Sequence, residues 1–197
     1  LFTAAVGLTA AGAGKNFQPR VPFTNSLASD TAFVLQLLPS SASGVGDGNP
    51  IDTWTDTSGS GNDATQTGAP RPIYNANVVG TGKEGVFFDG ANDFMLLPNV
   101  AGLNIQGPFT LMTWVYTDSS VVGAFIGGYQ PSGGFPGYAL GQSQNVSDKW
   151  CVYSDGSLWD DATTSLGHGA WHHIAVSVTG GNGTFYYDGV SDGTVSV

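Results

Sequence analysis

The chain has 197 residues and a formal net charge of −10, with five Lys and Arg against fifteen acids, fourteen of them Asp. So few cations exclude a nucleic-acid partner, which needs clustered Lys and Arg on phosphates, and no stretch is apolar for long enough to insert into a membrane as a helix. A single Glu, thirty Gly and abundant Thr, Val, Phe, Tyr and Trp exclude a helical protein and predict short strands joined by tight turns.

Residues 1–30 show no sustained periodicity and are interrupted by Pro19 and Pro22, so they read as an extended N-terminal arm. It is expected to pack on a neighbour or along its own domain. The small apolar start, residues 1–14, lacks a basic leader region and is not read as an intact signal peptide. Residues 32–38 (AFVLQLL) give a first core strand, and 40–50 a loop. Trp54 anchors a turn cluster at 57–62, and Pro70 and Pro72 keep the following chain extended. Residues 85–97 predict a hairpin turning at Asp89-Gly90-Ala91-Asn92-Asp93. Residues 109–116 (FTLMTWVY) have no fully polar face and predict a central strand. Short strands follow at 124–126, 138–140 and 150–153, with a Gly/Pro-rich loop at 129–138. Residues 171–178 alternate, turn at Gly180–Gly183 and return through 184–187 to Asp188-Gly189. Many short strands with turn signals between them describe a sandwich or barrel. Cys151, the single cysteine, sits in the apolar run 150–153 and reads as a small buried hydrophobe.

Three segments carry a resemblance. Trp171-His172-His173-Ile174-Ala175-Val176, a Gly-rich turn and Tyr187-Asp188-Gly189 resemble the WHHVAV…Y-x-D-G hairpin of laminin-G-like jelly rolls. Phe88-Asp89-Gly90-x-x-Asp93-Phe94, followed by Phe109-Thr110-Leu111-x-x-Trp114-Val115, resembles the FDG-x-x-D and FT-x-x-x-W-V segments of that family. Trp54-x-Asp56-x-Ser58-Gly59-x-Gly61-Asn62-x-Ala64-x-Gln66, with Arg71-Pro72, resembles an opening segment that accompanies such domains in phage and bacterial surface proteins. The resemblance implies an all-β, antiparallel two-sheet sandwich of the concanavalin A-like type over residues 31–197, preceded by the arm at 1–30. The family continues past Y-x-D-G with further strands. The expectation is that these lie beyond Val197, or that another strand, for which the arm is a candidate, closes the sheet.

The superfamily's glucanases use an E-x-D-x-x-E strand, whose two carboxyls must lie about 5 Å apart in a retaining glycosidase. Glu84 stands alone, so no enzymatic activity is expected. His168, His172 and His173 are read as packed or hydrogen-bonded rather than as a base or metal set. Tyr129, Phe135, Tyr138 and Trp159 are candidate stacking platforms for sugar rings, or else plugs for the open end of the sandwich. Asp155, Asp160 and Asp161 are the candidate calcium ligands, or else turn-forming residues of a solvated loop. No cofactor is required on this reading, calcium being an optional ligand. The resemblance implies a non-enzymatic structural or adhesion protein outside a cell or on a virion: a capsid decoration, a tail or fibre subunit, or a surface filament. The arm would contact other copies or neighbouring surface proteins. The alternative is a carbohydrate-binding module of a larger secreted protein, with calcium again an optional ligand.

Overall fold

A computed structural model describes residues 2–10, 33–78, 81–99, 103, 108–118, 123–127, 138–143, 146, 148–154 and 158–196. The described residues form strands β1 (Phe2–Ala10), β2 (Phe33–Leu37), β3 (Thr53–Trp54), β4 (Ala64–Thr65), β5 (Ile73–Asn75), β6 (Gly85–Phe87) and β7 (Phe109–Tyr116). They continue with β8 (Gly123–Gly127), β9 (Ala139–Gln142), β10 (Lys149–Ser154), β11 (Leu158–Ser165), β12 (Trp171–Thr179), β13 (Asn182–Tyr187) and β14 (Val190–Ser196). A 3-10 helix spans Pro39–Val45.

The strands make an antiparallel two-sheet sandwich. The larger sheet has the order β14-β13-β12-β7-β1-β6-β5, with β2 beside β6 on the same edge of β1. The smaller sheet has the order β11-β10-β9-β8, and β3 pairs with β4 separately. Alternation builds the interface. Phe109, Leu111, Thr113 and Val115 of β7 are buried, and they register with Val178, Val176, Ile174 and His172 of β12. From the other sheet come Ile126, Leu140, Trp150 and Val152. Trp150 meets Phe185 edge-on, with ring centroids 5.0 Å apart. Each large apolar side chain sealed in this layer contributes about 1.5–3 kcal/mol of transfer free energy. The β12–β13 hairpin turns on Gly180 (φ 58°) and Gly181 (φ 77°), the paired left-handed conformations that match the twist of a two-residue hairpin.

The arm takes one of its two expected courses: its start, β1, is extended and lies along its own domain, in the interior of the larger sheet between β7 and the pair β2/β6. The rest of the arm, residues 11–30, lies outside the described residues. Two other segments differ from the sequence reading. The hairpin at 85–97 keeps its turn but loses its ladder. Both edges of β6 are occupied, by β1 and β5, so the second run departs and Leu96 exchanges backbone hydrogen bonds with Thr65 instead. Phe94 and Leu96 are consequently exposed. Finally, β11 carries Asp160 and Asp161 on a strand rather than in a loop, because β10 supplies a ladder partner for the segment.

Candidate functional site

The smaller sheet holds the described members of the acidic candidate set. In β11, Asp160 registers with Val152 and Asp161 with Cys151. Val152 belongs to the core, so Asp160 stands on the core side of the sheet and Asp161 on its outer side. Asp160 Oδ2 and Asp161 Oδ1 are buried without a hydrogen-bond partner. Burial, and then the charge of Asp161, raise the Asp160 carboxyl above the usual carboxylate range. The same environment acts on Cys151: burial first, then the charges of Asp161 and Asp160, push its thiol up to about 12. The thiol is fully buried and donates weakly to Gly141 O at 3.6 Å, as a small hydrophobe does. Two neighbouring carboxylates on opposite sides of one strand can each accept a donor, but they do not converge on one ion. Asp155 lies outside the described residues, among which no three His, Cys, Asp or Glu come together to hold a metal.

Of the aromatic candidates, Tyr138 is described fully. Its ring stacks on Phe109 at 4.2 Å, and its hydroxyl donates to Leu103 O at 3.1 Å, so it fills the end of the sandwich beside β7. Tyr129 and Phe135 lie outside the described residues. Trp159 occupies the position in β11 opposite Tyr153.

The histidines form a second polar cluster, at the end of β12. The Asp188 carboxylate spans two partners: Oδ2 lies 2.9 Å from His172 Nδ1, and Oδ1 accepts the His173 N–H at 2.8 Å. Asp188 itself has φ 48°, held by its own N–H donating to His173 O. His172 stacks on Tyr187 with centroids 4.9 Å apart, and the Tyr187 hydroxyl accepts the Gly167 N–H at 3.2 Å. His173 is buried against Trp114, and burial holds its imidazole below the ordinary histidine range, against a smaller opposing pull from Asp188. His168 joins Thr117 Oγ1 (2.8 Å from Nδ1) to Asp148 Oδ1 (3.0 Å from Nε2). This hydroxyl–imidazole–carboxylate order parallels a nucleophile relay, but Thr117 is only 3% exposed and has no approach for a substrate. These contacts tie turns to strand ends. The sequence signalled His172, His173 and Asp188 through the hairpin motif. It gave no sign of Gly167, Thr117 or Asp148, whose partners lie 20 to 51 positions away.

The opening motif resolves into one carboxylate. Asp56 is buried and accepts the N–H groups of Gln36, Ser58 and Asn62 and the Ser58 hydroxyl, each at 2.9 Å. Burial alone would raise its pKa, but these four donors outweigh burial and hold it below the usual value. Asp89 does the same for the next turn, accepting from Ala91, Asn92 and Asp93. Glu84 accepts the Tyr74 hydroxyl at 2.7 Å. Burial and that carboxylate push the phenol up to about 12.

A laminin-G-type family profile, described as the concanavalin A-like lectin/glucanases superfamily, matches residues 89–197. No curated protein and no solved structure matches the chain. The matched stretch covers more than half of the sequence and includes the Asp89–Asp93 turn, β7 and the β12–β13 hairpin with its Asp188 clamp. The chain belongs to the concanavalin A-like lectin/glucanases superfamily.

Proposed function

We propose that this chain is a non-catalytic structural or adhesion domain, displayed on the outside of a virion or a cell and assembled with neighbouring copies or surface proteins. The observation that carries the reading is what its ionisable groups do. Glu84 is bound by Tyr74, Asp56 and Asp89 are saturated by turn N–H groups, and His172 and His168 are clamped to Asp188 and Asp148. These contacts hold turns and strand ends of the sandwich, which suits a scaffold whose surface is its product. The test is immunogold labelling of the native source with antibodies raised against the purified chain. Gold on the outer face of particles or cells is the expected result. Label confined to the interior, or measurable release of reducing sugar from β-glucans by the purified chain, overturns it.

A second reading, a carbohydrate-binding module, draws on Asp161, which stands on the outer side of the smaller sheet with its Oδ1 left without a hydrogen-bond partner. A glycan array with and without calcium tests it. Binding that falls at least about tenfold in D161N supports the module. No bound glycan in either condition removes it.

A further inference from the structure

On one side of the sandwich the outermost described strands of the two sheets, β11 and β14, come together. Sheet edges accept strands from other chains unless something blocks them. Here the register of β14 slips. Thr184 faces Thr194 and Tyr186 faces Ser191, so Asp192 and Gly193 together oppose Phe185. This is a β-bulge, and Gly193 takes φ 113°, a conformation that favours glycine. A Cβ at Gly193 would also sit 2.9 Å from Thr163 Oγ1. The bulge brings Asp192 against β11, where the residue is 8% exposed. Both oxygens accept the Thr164 N–H at 3.0 Å, and Oδ1 accepts the Thr164 hydroxyl at 2.5 Å. The carbonyl of the same peptide unit, Thr163 O, is taken by the Lys149 ammonium. The Thr164 N–H, which would face an incoming strand, is thus capped by a carboxylate of β14, while Lys149 of the adjoining strand β10 holds the carbonyl on the opposite side of the same peptide.

We infer that the Asp192–Gly193 bulge is an edge guard, which keeps this side of the sandwich closed to strand addition by a second copy of the chain. A second copy is the occupant at issue because an antiparallel edge pairs with itself across a two-fold axis. The edge strand also presents Val190, 69% exposed, which gives such a pairing an apolar contact. Bulge, inward-directed carboxylate and capped peptide together remove the straight row of donors and acceptors that an incoming strand needs.

The test is sedimentation velocity of the full chain against D192A, over concentrations up to about 100 μM, with circular dichroism to show that the variant is folded. D192A is expected to raise the self-association constant at least about tenfold over wild type and to speed hydrogen exchange at the Thr164 amide in the dilute, unassociated protein. The double variant D192A/V190K places a Lys on the opened edge and is expected to return association to the wild-type level. D192S keeps a polar side chain but sets its oxygen one bond short of the Thr164 N–H, and it gives the same readout should D192A fail to fold. Wild-type sedimentation in the folded variant overturns the guard. So does association that V190K leaves untouched, since that would come from general exposure of the core.

Discussion

Replacing Asp56 with Ala removes one carboxylate and strands the donors of two distant segments. The N–H groups of Gln36 and Asn62 are buried and lose their acceptor, while those of Ser58 are nearer solvent and can turn to water. Leaving a buried donor unsatisfied costs about 1–3 kcal/mol, so the two together cost about 2–6 kcal/mol. That is a large part of the 5–15 kcal/mol or so that holds a typical domain. With a urea m-value of about 2–3 kcal/mol/M, the midpoint should fall by roughly 0.7–3 M while m stays unchanged. A pH series adds an independent check. The folded pKa of Asp56 is depressed, so its contribution is fully present above the unfolded value near 3.9 and is lost as pH falls through the folded value. Wild type should therefore lose stability below about pH 4, and D56N should show a shallower acid slope, with Asp89 supplying part of what remains. A cost under about 1 kcal/mol in D56A, or an acid slope unchanged in D56N, would refute the reasoning.

Further outcomes follow from the same contacts. A Cβ at Gly167 would lie 2.6 Å from His172 Nε2, and that ring is fixed by Asp188 and Tyr187. Gly167→Ala should thus cost about 1–3 kcal/mol, and most of the loss should disappear in the G167A/H172A background of a double-mutant cycle. Cys151 is buried with its thiol pushed up to about 12, so it should resist a thiol reagent at pH 8 in the native protein and react at once in denaturant. Rapid labelling of the folded chain would contradict its placement. The depressed pKa of His173 means that the unfolded chain binds its proton first. Stability from this group is complete above the unfolded value near 6.5 and declines as pH falls below it. H173Q should flatten the decline in thermal midpoint between about pH 7 and 5, and an unchanged decline would assign the effect elsewhere.

The parts of the fold legible in the sequence are those whose partners are close along the chain. The β12–β13 hairpin announces itself by alternation and by Gly180-Gly181, and Asp56 and Asp89 stand in turn motifs whose donors are mostly a few residues away. What was not legible depends on remote pairing. Phe2–Ala10 is rich in Ala, Gly and Thr without a clear alternation, and only the distant edges of β7, β2 and β6 make it a strand. Residues 93–97 look like the return of a hairpin, but the edges of β6 were already taken. The Asp pair in β11 has turn-like composition, and the β10 ladder overrides that preference. For the site, the histidine contacts followed the hairpin motif. The aromatic role of Tyr138 turned on Phe109 and Leu103, which no local pattern connects to it.

The interior position of β1 has a consequence for the order of events during synthesis. Leu8 pairs with Leu111, about a hundred residues later in the chain. β1 therefore stays unpaired on its β7 side until β7 has been synthesised. Closing a loop of that size precedes any reward from the pairing, which slows folding. At synthesis rates of about 5–20 residues per second, making the intervening residues takes on the order of ten seconds. The centre of the larger sheet can thus be completed only once β7 has been made, long after β1.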